Sequence, residues 1–442
     1  MSQPKLSPMA MHLTRFFPLA ISLLLLALSP PATLHQCTAQ GSSPYKPLVS
    51  HLARDPATSL YTISIQDSGP LVVDLAGPLL WSTCRPKHPT FPCGSDECTA
   101  ANNSGPLASS QAPSSESCEC TCTARPCNPV TGACAAGDLT RSAMSANATD
   151  GRSLLGYTVS FTSVTSCAPD ALLDSLPAGA VGVAGLSRAP LSLPSQLSYA
   201  LGSSRFALCL PGVAVFGDTP IYLSGFPLEL TGVIASTPLL RNPKNRDAYY
   251  VPVVAISVFW TTAGAAADVS AALPPRALEM DTATGRGGVT LSTVARYTAL
   301  RSDVYRAVLQ AYDASVRKAP PGYAVTKVEP PAGSPFEVCY DAWTLRPTKR
   351  TGWDVPTIRL ELAAGASSNW TINSGNSLVQ VADRTVCLAF VDMGREDGPA
   401  AVIGTYQLED NLLVFDAGKD VLRFSGLLWG SGATCSSFNF TS

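Results

Sequence analysis

Two stretches of this chain end an apolar run at a small polar residue and then meet an apolar pair followed by glycine at nearly the same distance downstream. Asp74 closes Leu71-Val72-Val73, and 111 positions later comes Gly185 of Val183-Ala184-Gly185; Ser292 closes Val289-Thr290-Leu291, and 112 positions later comes Gly404 of Val402-Ile403-Gly404. A spacing kept to one residue over more than a hundred points to a duplicated unit, hence to two lobes of one plan. The length of 442 residues agrees, because single hydrophobic cores stop growing near ~250 to 300 residues. The polar, turn-rich stretch 237–247, with Pro238, Asn242-Pro243 and Lys244-Asn245-Arg246, sets the lobe boundary at about residue 240.

The elements within each lobe read as short strands. Charged residues make up only 14% of the chain, and 33 Gly and 37 Pro punctuate it, which favours strands and turns over long helices. Strand, turn and strand are expected from 43 to 73, alternation returns at 153–164, and further strands fall at 205–210, 213–216, 221–223, 249–259, 289–292, 412–415 and 421–424. A Pro-bounded short helix is expected within 176–197. An amphipathic one is expected over 302–317, its apolar side formed by Val304, Tyr305, Val308, Leu309 and Tyr312. Gly185 is expected where backbone passes too close to the Asp74 turn for a side chain.

The formal net charge of −2, with no Lys/Arg cluster, argues against nucleic acid as a partner. Lys5 and Arg15 precede the apolar run 16–28, then Ser29-Pro30-Pro31 and a small-residue site around Cys37-Thr38-Ala39. That is the layout of a secretory signal peptide over 1–39. A signal anchor is the rival, but the run is shorter than the ~20 residues of a membrane span. Removal of 1–39 takes one of the fourteen cysteines, leaving an odd thirteen in an oxidising compartment, where a disulfide framework with one thiol over is expected. Most crowd a cysteine-rich insert over about 84–134. Zinc is the alternative for Cys118, Cys120 and Cys122, but no histidine follows at ligand spacing. Sequons at Asn102, Asn147, Asn369 and Asn439 are glycosylation candidates on expected surface loops.

Five ordered stretches, Val72–Trp81, GVAGLSRAPLSLPSQL, TPLLRNPKNRDAYYVPVVAISV, GRGGVTLSTVARYTALRSDVYRAV and AVIGTYQLEDNLLVFDAGKDVLRFSG, resemble plant pepsin-like aspartic proteases over nearly all of the mature chain. DPATSLYTISI, DLAGPLLWSTC, NPVTGACAAGDL, LSTV and FEVCYDAWTL bring the resemblance closest to the TAXI-type xylanase inhibitors and the extracellular dermal glycoproteins. The resemblance implies an all-β, bilobal pepsin-like aspartic protease fold with a few short helices, an N-terminal lobe over 40–240 and a C-terminal lobe over 241–442. It also implies twelve framework cysteines, Cys84, Cys93, Cys98, Cys118, Cys120, Cys122, Cys134, Cys167, Cys209, Cys339, Cys387 and Cys435, which leaves Cys127 as the unpaired one.

Peptide hydrolysis on such a fold needs two carboxylates sharing a proton across one water, each on an Asp-Thr/Ser-Gly turn. Here the first turn reads Asp74-Leu75-Ala76-Gly77, and the family frame puts Ser292, followed by Thr293 and Val294, where the second carboxylate belongs. Asp281-Thr282-Ala283 imitates such a turn but precedes Gly-Gly-Val in a loop of the family. Cys134–Leu139 lacks the tyrosine that clamps substrate in active relatives, and only His51 and His88 remain for a serine triad. Asp74 and Ser292 are therefore read as remnant dyad positions of a pseudo-enzyme without catalytic residues, metal or cofactor. An apoplastic, monomeric inhibitor of xylanase or xyloglucan endoglucanase is expected. The alternatives are a residual aspartic endopeptidase and a non-inhibitory binding or storage protein. The family's inhibitory leucine corresponds to Leu345; its loop histidine is absent, and Leu428 or Trp429 stands in its place.

Overall fold

The computed structural model describes residues 45–103, 120–261, 268–363, 366–394 and 397–442. The expected signal peptide, together with Cys37 and Cys118, falls outside them. Mostly short strands are formed, and the duplication is visible in how they pair. Leu71–Asp74 runs parallel to Gly182–Gly185 with Asp74 opposite Gly185. Gly182–Gly185 is antiparallel to Leu80–Ser82, which lies parallel to the end of Leu154–Cys167. The second half repeats each step: Val289–Leu291 parallel to Ala401–Ile403, that strand antiparallel to Thr298–Leu300, and Thr298–Leu300 parallel to Phe390–Asp392.

Both glycines of the repeat are sterically required. A Cβ on Gly185 would stand 2.4 Å from the Gly77 carbonyl oxygen, and one on Gly404 would stand 2.5 Å from the Tyr297 carbonyl carbon. Backbone passes backbone at both places, and only a residue without a side chain fits. The 111- and 112-residue spacings thus measure the distance from each turn to the glycine packed beneath it.

Thirteen described strands form one long sheet in the order 235–238, 421–424, 412–416, 205–209, 212–216, 48–54, 61–63, 71–74, 182–185, 80–82, 154–167, 137–149, 123–124. Leu412–Asp416 and Val421–Phe424 therefore come from beyond the boundary expected near 240 and extend the sheet of the first half. The halves also share one apolar core. Phe206 stacks on Phe415 with ring centroids 4.7 Å apart, and Tyr249 tilts against Phe415 at the same distance. Three smaller sheets of five, four and four strands complete the second half.

The helix over Ser302–Val316 buries Val304, Tyr305, Val308 and Tyr312 as their spacing predicts, with Leu309 at the edge of the core. Ser192 caps Leu193–Leu201, its hydroxyl accepting from the Ser195 N–H, and Pro194 occupies the first turn. Residues 221–223 do not form the expected strand. Ile221 and Leu223 are buried from a coil, so their apolar alternation reports packing rather than a sheet ladder.

All twelve described cysteines are paired: Cys84–Cys167, Cys93–Cys120, Cys98–Cys122, Cys127–Cys134, Cys209–Cys435 and Cys339–Cys387. This corrects the assignment of Cys127 as the unpaired cysteine. It stands opposite Cys134 across a hairpin whose tip is closed by the Asn128 N–H donating to the Ala133 carbonyl, and the two Cα atoms are 4.1 Å apart. Six disulfides fit an oxidising compartment. Among the described residues no helix is long and apolar enough to cross a membrane.

Candidate functional site

The two turns of the duplicated unit meet at the junction of the halves. Thr293 Oγ1 donates to the Val73 carbonyl at 2.7 Å and accepts from the Leu75 N–H at 3.0 Å, both buried. These bonds fix the Asp74 turn against the Ser292 turn. Asp74 is 8% exposed, and its Oδ1 accepts from the Ala76 N–H at 2.9 Å. Burial pushes its pKa up to about 6 against the opposing pull of the Ala76 and Gly77 N–H groups, since desolvation disfavours the charged form.

Ser292 Oγ accepts from the N–H groups of Val294 and Ala295 at 3.1 and 3.0 Å. It therefore does for its turn what the Asp74 carboxylate does for the other, capping backbone donors without supplying an acid. The Leu75 side chain is buried in the main core and brings no hydroxyl. Among the described residues the two turns present one carboxylate, that of Asp74, where proton sharing needs two. Asp281 is not a hidden second: it is exposed, and the N–H groups of Thr284 and Ala283 bind its carboxylate and lower its pKa.

At the end of the long sheet Thr123–Ala124 pairs with the start of Gly137–Thr149 in a hairpin. Its arms are tied by Cys127–Cys134, and the Trp81 indole N–H donates to the Cys127 carbonyl at 3.0 Å. A second tie links the halves: Glu409 Oε1 accepts from Tyr61 Oη and Arg296 Nη1, each at 2.5 Å, with Arg54 at 3.8 Å. Burial opposes the charge on Arg296, and Glu409 more than offsets that, raising its pKa.

The candidate loop residues separate by burial. Leu345 is 5% exposed within the main core, and Leu428 is 3% exposed against Ile221, Leu223 and Ala433. Neither is placed to enter a partner's cleft, which corrects both as contact residues. Leu345 follows a one-turn helix capped by Asp341, and that turn leaves Trp343, not Leu345, facing solvent at 76% exposure.

Trp429 is different. It is 39% exposed, and its indole N–H donates to Asp410 Oδ2 at 2.8 Å. Asp410 is buried, and its other oxygen accepts from the Cys435 N–H at 2.8 Å. Burial raises the Asp410 pKa, opposed by those two donors. Beside Trp429, loop 346–354 brings Lys349 and Arg350 to one open groove of roughly 540 Å3, with the Arg350 guanidinium donating to the Gly430 carbonyl at 3.2 Å. Lys349, Arg350 and Asp410 carry no signal in the sequence, since Arg350 lies 80 residues from Gly430 and Asp410 lies 19 and 25 residues from Trp429 and Cys435, and no local pattern marks the encounter.

The sequons also separate. Asn102, Asn369 and Asn439 are exposed, and Asn439 Oδ1 binds the N–H and hydroxyl of Thr441. Asn147 lies inside the strand Gly137–Thr149, opposite Val49 and Thr158 rather than on a loop.

With this geometry in view, residues 61–218 match the family model described as Xylanase inhibitor N-terminal, and residues 248–426 match Xylanase inhibitor C-terminal. Chitinase CLP of Oryza sativa subsp. japonica is 43% identical over 420 residues, covering 90% of this chain and 92% of that protein. Gamma conglutin 1 of Prunus dulcis is 32% identical over 98% of both chains. The crystal structure of edgp superposes with a TM-score of 0.77 at 32% identity, covering 90% of this chain and 99% of the other. The paired turns, the single carboxylate and these matches together place the chain in the TAXI-type xylanase-inhibitor family of pepsin-like proteins.

Proposed function

We propose that this protein is a proteolytically inactive pepsin-like chain that blocks the active-site clefts of cell-wall-degrading glycoside hydrolases, acting in the apoplast through the groove between loops 346–354 and 426–434. The observation that carries the reading is Trp429, held by Asp410 beside Lys349 and Arg350. A glycoside hydrolase cleft presents a pair of carboxylates and sugar-binding surfaces. A cation reaching from a loop complements the former, and a flat indole complements the latter. Leu345 and Leu428, buried beneath the loops, support the surface without touching the partner.

A second reading is favoured by the rice relative named as a chitinase and by Asp74. A buried carboxyl that stays protonated to about pH 6 is poised as a general acid. Hydrolysis assisted by the substrate's own acetamido group does not need a carboxylate nucleophile from the protein. One assay set separates the readings: the mature chain is titrated into an endoxylanase and a xyloglucan endoglucanase, and incubated alone with chitin oligosaccharides and with a peptide substrate at acid pH. Hydrolase inhibition that survives Asp74→Asn supports the first reading. Chitin cleavage lost in Asp74→Asn supports the second, and inactivity in every arm contradicts both.

A further inference from the structure

A second cluster of reactive groups lies apart from both the junction and the groove. Cys84 follows the strand Leu80–Ser82 and Cys167 ends Leu154–Cys167, and parallel pairing of Ser82 with Cys167 brings them together as a partly buried disulfide. His88, in the loop after Cys84, has Nδ1 2.9 Å from the Arg85 carbonyl. A carbonyl only accepts, so Nδ1 carries the proton and the Nε2 lone pair is free. Nε2 is buried without a hydrogen-bond partner among the described residues and faces Asp138 Oδ2 at 3.5 Å. Both sulfurs and a ring nitrogen of His88 lie within 4.8 Å of one another. A pocket of roughly 330 Å3, lined by Cys84, Arg85, His88, Thr123, Asp138 and Cys167, opens onto them.

We propose that Cys84–Cys167 is a thiol-exchange site, modified by small thiols and assisted by His88 and Asp138. A small thiol entering the pocket gives its proton to the free Nε2 lone pair of His88, and the thiolate so formed attacks one sulfur. The S–S bond breaks, its electron pair passes to the other sulfur, and the imidazolium form of His88 delivers the Nε2 proton to that leaving thiolate. Asp138 Oδ2, 3.5 Å from Nε2, faces the nitrogen that carries this proton. The product is a mixed disulfide and one protein thiol; a second small thiol displaces the first, so that two thiols end as their own disulfide and Cys84 and Cys167 are both reduced. Protonating the leaving sulfur matters because exchange speed depends on how readily that sulfur departs.

The other disulfides supply internal controls. Cys209–Cys435, Cys339–Cys387 and Cys98–Cys122 are buried. Cys93–Cys120 and Cys127–Cys134 reach solvent, but the remaining described histidine, His51, packs edge-on against Phe440. Accessibility alone would open those two as fast as Cys84–Cys167.

The test treats the native full-length mature chain with reduced glutathione, quenches at intervals, alkylates the freed thiols and quantifies each cysteine by peptide mass. General acid assistance contributes about 10²- to 10⁴-fold, so Cys84–Cys167 should open at least about tenfold faster than Cys93–Cys120. His88→Gln should abolish that advantage and leave Cys93–Cys120 unchanged. Asp138→Asn, at a half-buried strand position, is the second variant and should slow the same bond alone. Opening at the rate of Cys93–Cys120 in the wild-type chain, or an unchanged rate in either variant, overturns the proposal.

Discussion

Thr293 reaches across the junction to Leu75: its hydroxyl oxygen accepts the Leu75 N–H at 3.0 Å while donating to the Val73 carbonyl at 2.7 Å. The chain has thus kept the mechanical tie between its two turns while Leu75 and Ser292 remove the hydroxyl and the second carboxylate that proton sharing needs. Thr293→Val preserves shape and leaves a buried N–H and a buried carbonyl unpaired. Each costs about 1 to 3 kcal/mol. Denaturant unfolding should show that loss, with Thr293→Ser recovering most of it.

Asp74 gives the fold a pH dependence. Its folded pKa of about 6 lies above the ordinary value near ~3.9, so between those values the folded chain binds more protons than the unfolded one. Stability therefore falls as pH rises through that window and levels off above the folded pKa, for a total of about 3 kcal/mol. Asp74→Asn should remove this component and be the more stable chain at pH 7. Unfolding curves of the two proteins from pH 4 to 7 check it; parallel profiles would show that Asp74 titrates normally.

Glu409 ties Tyr61 and Arg54 of the first half to Arg296 of the second. Glu409→Ala strips the partner from a mostly buried guanidinium, a change that costs about 3 to 5 kcal/mol when a buried pair is broken. The midpoint of thermal unfolding should drop accordingly, whereas removing the exposed Arg276–Glu279 pair should leave it within error.

Asp410 adopts φ 50° and receives both the Trp429 indole and the Cys435 N–H. Asp410→Ala loses both bonds and places alanine in a left-handed conformation that costs it about 1 to 2 kcal/mol. Asp410→Asn tolerates the backbone and keeps an acceptor. The alanine variant should therefore be the less stable of the two and leave the Trp429 ring mobile, read as a broadened indole N–H resonance.

Much of this architecture was legible in the sequence. The paired spacings from Asp74 to Gly185 and from Ser292 to Gly404 became two equivalent sets of strands because close backbone packing forces glycine at a fixed place. Spatial neighbours were less legible. Leu345 keeps the family leucine and Leu428 falls at the position of the missing loop histidine, yet a one-turn helix and a satellite core turn both inward. Cys127 read as surplus because the family resemblance supplied twelve other framework cysteines, whereas a hairpin brings Cys134 to it. The strand at Leu412–Asp416 was legible, but its pairing with Arg205–Cys209 was not, since strand pattern says nothing of which sheet receives it.

The most direct measurement is the titration of an endoxylanase and a xyloglucan endoglucanase with the wild-type chain and with the Arg350→Ala, Trp429→Ala double variant. Centrally placed Trp and Arg contacts each contribute about 2 kcal/mol or more when truncated, so the wild-type chain should suppress at least one of the enzymes and the double variant should need at least about a hundredfold higher concentration. Suppression of neither enzyme by the wild-type chain, or equal potency of the double variant, would contradict the assignment of the groove as the hydrolase-binding surface.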